Sequence, residues 1–162
     1  MLPTDAHPNI QALYAYWDRK RAGRSMPARA DIQPVEIAGL MPQIYIVDAA
    51  QDGGELTYRL FGTALVALFG REMTGRPMAE GLPPEAAEEA RARYRTVIRE
   101  RRPLYHQAPL HEPRNNYTEV ERLILPLSPN DIRVDMLIGI VIPKRLLVAQ
   151  ALPSLWRRVS GG

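Results

Sequence analysis

The 162-residue sequence contains no cysteine. A thiol nucleophile, a disulfide framework, thiolate-ligated zinc, an iron–sulfur cluster and any cysteinyl photoadduct are therefore excluded. Histidine is nearly as scarce, with only His7, His106 and His111 available to an imidazole-based metal or haem site. Long apolar runs are missing too. The longest, Met136 to Ile142, falls far short of the ~20 residues that span a bilayer, and its length suits a strand. The first residues, Met1-Leu2-Pro3-Thr4-Asp5, lack the basic-then-apolar order of a secretory signal, so a cytoplasmic location is the default expectation. Charge of one sign is also in small excess: 21 Lys+Arg stand against 18 Asp+Glu, a net charge of +3. That excess does not by itself imply a nucleic-acid partner.

A hydrophobic content of 46% and a charged content of 24% fit a soluble globular protein. A chain of this length makes one domain and buries roughly 70% of the surface its unfolded form exposes. The spacing of Ile10, Leu13, Tyr14 and Trp17 predicts a helix over residues 8–22, capped by Asp5 or Asn9 and ended at Gly23. Asp31 then reads as the cap of a short helix reaching Met41. Residues 43–50 and 55–61 form a hairpin about Asp52-Gly53-Gly54, with Leu56, Tyr58 and Leu60 on one face of the return strand. Residues 62–69 read as a short buried helix closed by Gly70, and 84–102 as a long helix with acids first and arginines last. Strands over 103–110, 117–127 and 132–142 complete the chain. The last is apolar on both faces and should be covered on both sides. Two clusters of strands with helices between them predict an α+β domain on one antiparallel sheet.

With these elements in place, the chain resembles a PAS domain, and more specifically a family of short, single-domain PAS proteins common in alphaproteobacteria. The resemblance rests on Tyr16-Trp17 with Arg24, on Pro27-Ala28-Arg29-Ala30-Asp31-Ile32, and on Tyr58-Arg59-Leu60-Phe61-Gly62-Thr63. Phe69-Gly70 with Thr74-Gly75, and Leu125-Pro126-Leu127, complete the set. It implies a five-stranded antiparallel sheet with crossover helices and an N-terminal flanking helix. The expected boundaries are a helix and linker over 1–30, the PAS-like domain over 31–143 and a tail over 144–162. It also implies a sensory or interaction module whose output lies in a separate protein, since the tail is too short for an output domain.

Periodicity proposes a pocket lined by Tyr58, Leu60, Leu65, Phe69, Tyr94, Ile98, Leu125, Met136 and Ile138, though the same residues can equally fill a core. Arg59, which matches the family's pattern, either anchors a polar ligand group or pairs with an acid such as Asp48. No cofactor is specified, and no metal site or catalytic residue is expected: His106 and His111 are five apart, which on a strand sets them on opposite faces. Glu119 and Glu121 share a strand face, with Arg122 and Arg133 as charged neighbours, and read as a solvated, salt-bridged edge rather than an acid–base pair. Arg91, Arg95, Arg99 and Arg102 stack along one helix face, either as a solvated surface or as a grip for phosphates or an acidic partner. The stripe of Leu13, Tyr14 and Trp17 either packs on its own sheet or pairs with a second copy in a homodimer. The expected function is thus a signalling sensor or interaction module, with a small pocket enzyme or an arginine-helix nucleic-acid binder as alternatives.

Overall fold

A computed structural model describes residues 2–50, 54–110 and 119–144. The first helix, α1 (Pro8–Arg21), follows the apolar stripe, and Ile10, Leu13, Tyr16 and Trp17 are its buried residues. Tyr16 takes the place expected of Tyr14, which stays half-buried. The cap is neither Asp5 nor Asn9: the His7 Nδ1 accepts the Asn9 N–H at 3.1 Å. Residues 29–43 form three separate 3₁₀ turns instead of one short helix. Asp31 folds back to accept the Ala28 N–H and the Arg24 guanidinium, both at 2.8 Å, so its carboxylate closes the preceding turn rather than starting a helix.

The sheet is built from β1 (Ile44–Ala49), β2 (Leu56–Phe61), β3 (Leu104–Pro109), β4 (Glu119–Leu127) and β5 (Met136–Lys144), all paired antiparallel in the order β2-β1-β5-β4-β3. Between β2 and β3 run α2 (Thr63–Phe69) and α3 (Pro84–Glu100). This is the expected open five-stranded α+β sheet. The strand β5 starts four residues later than expected. The Asn130 side chain accepts the Ile132 and Arg133 N–H groups and holds them in the turn. The expected turns at Asp52-Gly53 and Asn115-Asn116, His111 and the 145–162 tail lie outside the described residues.

Both faces of the sheet are covered. Tyr45 pairs with Gly139 and Phe61 in the ladder, and its ring meets that of Tyr94 on α3 with centroids 6.3 Å apart. This defines an inner face under the crossover helices. Glu121 belongs to the opposite face by strand alternation. Its carboxylate accepts the His7 N–H at 3.0 Å, so α1 caps that outer face. Trp17 adds a donated bond from Nε1 to the Pro126 carbonyl at 2.9 Å. Lys144 sits 3.4 Å from Glu121 on the same side. The expectation of a solvated edge at Glu119 and Glu121 is therefore corrected: β4 lies inside the sheet, Glu121 is buried, and Arg122 points the other way.

Candidate ligand-binding cavity

One irregularity in β2 decides what faces inward. Ile46 pairs with Leu60, but Val47 pairs with Tyr58, so Arg59 is an extra residue in a β-bulge. The bulge puts Tyr58 and Phe61, three apart, on the same inner face, where their rings meet edge-on with centroids 5.0 Å apart. Leu60 is turned to the outer face beside Ile46. Gly62 then lies so close to the Met41 and Pro42 carbonyls that a Cβ there would overlap both. This close approach swings α2 back across the sheet. Downstream, the Gly75 N–H donates to the Tyr58 carbonyl at 2.7 Å and the Tyr58 N–H to the Arg76 carbonyl at 3.0 Å. The 74–77 segment is thereby stitched to the free edge of β2.

These constraints leave a cavity of about 410 Å³ between the inner face and its helical cover. Tyr58 and Phe61 come from β2, Phe69 and Gly70 from the end of α2, and Ala90 from α3. Arg71, Met73, Met78, Gly81 and Leu82 come from the connection, and Arg122 from β4. The walls combine aromatic and thioether surface with two arginines, Arg122 on the floor and Arg71 in the connection.

Some polar atoms on this face lack partners: Arg122 Nε and both ring nitrogens of His106 are buried without a hydrogen bond. The Arg122 guanidinium carbon lies 5.8 Å from the Phe69 ring centroid, a cation–π arrangement. No carboxylate among the described residues pairs with it. His106 faces Arg122 directly across the β3–β4 ladder. Burial, assisted by the positive charges of Arg93 and Arg122, pushes its pKa down to about 4. Burial likewise raises the Tyr45, Tyr58 and Tyr94 hydroxyl pKa values, with Arg122 opposing the rise in each case. At neutral pH this face therefore holds three neutral phenols, a neutral imidazole and one guanidinium.

Of the residues expected to line a pocket, Tyr58 and Phe69 do so. Leu65 and Tyr94 are buried in the core beside it, Tyr94 against Tyr45. Ile98 is displaced to a shallow groove of about 100 Å³ with Leu56, Arg91, Arg95 and Arg99. Leu60, Leu125, Met136 and Ile138 are corrected to the outer face: Ile138 pairs with Ile46 and Leu125, and Met136 with Asp48 and Leu127. Because β5 is apolar on both sides, its pattern could not say which side held the cavity. Arg59 points away from the cavity and meets Asp48, with Nε 3.0 and 3.1 Å from the two carboxylate oxygens. Leu13 and Trp17 are buried on the chain's own sheet, with Tyr14 beside Trp17 at a ring distance of 6.2 Å. The arginine face is largely neutralised on its own helix: Arg91 and Arg95 both meet Glu88, Arg93 meets Glu89, and Arg99 meets Glu100. Arg102 is exposed. Phe61, Met73, Met78 and Arg122 were not anticipated in the cavity. The bulge hides Phe61, and the odd position of Arg122 relative to Glu121 was its one available signal. Among the described residues no group of three or more acidic or imidazole side chains could hold a metal ion.

The arrangement of strands and crossover helices recurs in known proteins. A family model described as a PAS domain matches residues 5–142. The chain belongs to the PAS domain family. The PAS domain of Bordetella pertussis BvgS is similar at 24% identity and a TM-score of 0.53, over 76% of this chain and 93% of that one. The Rhodobacter sphaeroides LOV protein is similar at 12% identity and a TM-score of 0.53, over 74% of this chain and 72% of that one. A PAS domain of a Colwellia psychrerythraea protein is similar at 12% identity and a TM-score of 0.51, over 68% of this chain and 96% of that one. At these identities the likeness concerns the fold alone. No curated protein matches this PAS chain. No helix among its described residues is long and apolar enough to cross a membrane.

Proposed function

We propose that this PAS domain is a sensor module that takes up a small molecule in the inner-face cavity and passes its state to a separate signalling protein. The observation that supports it is the cavity itself. Its volume falls within the ~300–1,000 Å³ of small-molecule sites, and aromatic and thioether side chains meet there with Arg122, whose Nε has no hydrogen-bond partner. A buried guanidinium nitrogen without a partner is an exception that a ligand would satisfy. The reading goes with a cytoplasmic, non-enzymatic protein acting as a homodimer. Tyr14, the part of the helix stripe left half-buried, is the residue offered for self-association. A pocket enzyme would need an acid beside a histidine. The charged neighbours that depress His106 are instead Arg93 and Arg122. A phosphate-gripping helix is disfavoured by the pairing of Arg91 and Arg95 with Glu88.

A fragment screen by ¹⁵N–¹H NMR tests this reading. Bound fragments should shift the amides of Tyr58, Phe61, Phe69 and Met73. Ala90→Leu, which fills the cavity from α3, should abolish those shifts. Fragments that bind elsewhere, or that bind Ala90→Leu unchanged, would contradict it.

A further inference from the structure

The cavity also specifies the chemistry of its occupant, an inference that rests on reading it as a ligand site. Arg122 is a guanidinium on the cavity floor, its Nε without a partner and its ring neighbour Phe69 incapable of neutralising it. The other charged lining residue, Arg71, lies at the rim 3.9 Å from Glu80, whose carboxylate also takes Arg76 at 3.4 Å. Among the described residues Arg122 is therefore the lining cation with no carboxylate partner, whereas Arg71 shares Glu80 with Arg76. Arg122 is half-buried with its Nε shielded and unpartnered, and a guanidinium fork matches the two oxygens of a carboxylate in parallel hydrogen bonds.

We infer that the cavity binds a compact apolar monocarboxylate, its carboxylate on Arg122 and its hydrocarbon or aromatic body against Phe61, Phe69, Met73 and Met78. The carboxylate supplies the negative partner that Arg122 lacks among the described residues. His106, neutral and directly across the ladder from Arg122, does not add to the charge at that position. Arg71 and Gly81, both exposed, form the open rim of the site.

Calorimetric titration with 4-phenylbutyrate and with 4-phenylbutan-1-ol, which share their apolar body, tests the inference at pH 7. The acid should bind at least about tenfold more tightly than the alcohol, the margin of a charge-assisted hydrogen-bonded pair. In Arg122→Gln that margin should vanish while alcohol binding persists, and Arg122→Lys, which keeps the charge without the fork, should fall between. Equal affinity of acid and alcohol, with shifts at the cavity amides, would overturn the carboxylate assignment and leave the sensor reading standing. Binding of neither molecule would overturn both. The comparison of the two probes on the unsubstituted protein decides the matter even where a variant fails to fold.

Discussion

Replacing Arg122 by Met should make the ligand-free protein more stable, not less. The substitution keeps an unbranched apolar stem of similar length against Phe69 and removes a charge whose Nε is buried without a partner. An unsatisfied charged donor costs roughly 1–3 kcal/mol or more. The cation–π contact that is lost returns about 0.5–1 kcal/mol, and a thioether over the same ring recovers part of that. The net gain should be about 1 kcal/mol, which raises Tm by roughly 2–4 °C in a domain of this size. A second readout follows from the same geometry. Arg122 is one of two cations that, with burial, hold the His106 pKa down to about 4, so the variant's His106 should titrate at higher pH. Urea unfolding and thermal melts of stripped protein at pH 7 measure the first effect, and imidazole NMR measures the second. A loss of 2 kcal/mol or more would refute the reasoning, because it would mean that Arg122 holds the fold together and is not poised for a ligand.

Other substitutions test other parts of the account. Trp17→Ala should cost about 3–5 kcal/mol in urea unfolding, as expected for a buried aromatic side chain that also donates to the Pro126 carbonyl; a change in oligomeric state with unaltered stability would instead assign Trp17 to an interface. Gly139→Ala should cost about 2 kcal/mol or more, because the added Cβ overlaps the Tyr45 ring, and Tyr45→Leu in the same chain should recover much of it. For His106, the unfolded chain binds a proton near pH 6.5 and the folded chain near pH 4. Its contribution is thus fully present above about pH 6.5 and is lost as pH falls through that window, roughly 2 kcal/mol after allowance for partial exposure. His106→Phe should flatten stability between pH 6.5 and 4, and an unchanged slope would sink the assignment.

The elements were largely legible in the sequence, and the sides of the sheet were not. The spacing of Ile10, Leu13 and Trp17 located α1, and the acid-to-arginine order of residues 85–102 located α3. The inner face went astray at Arg59, because alternation assumes an unbroken period of two and a bulge inverts it. That slip exchanged Phe61 for Leu60. On β5 the alternation held, yet Met136 and Ile138 were given to the wrong side. With α1 over one face and α2 and α3 over the other, both sets of side chains are apolar, and nothing in the pattern marks inner from outer. Arg122 is adjacent in sequence to the acids on β4, but neighbours on a strand point to opposite faces, so Arg122 belongs to the inner side and Glu121 to the outer. The resemblance motif Tyr58–Thr63 turned out to be mechanical. It encodes the bulge, the close approach of Gly62 and the Tyr58 backbone bonds that fasten the cavity's cover.

The inner-face cavity should be occupied when the protein works. Native mass spectrometry of gently purified protein, set against the denatured mass, tests it most directly. The account predicts a non-covalent adduct of one small molecule per chain, lost on denaturation and missing from Ala90→Leu. A bare chain, or an adduct retained in full by Ala90→Leu, would contradict it.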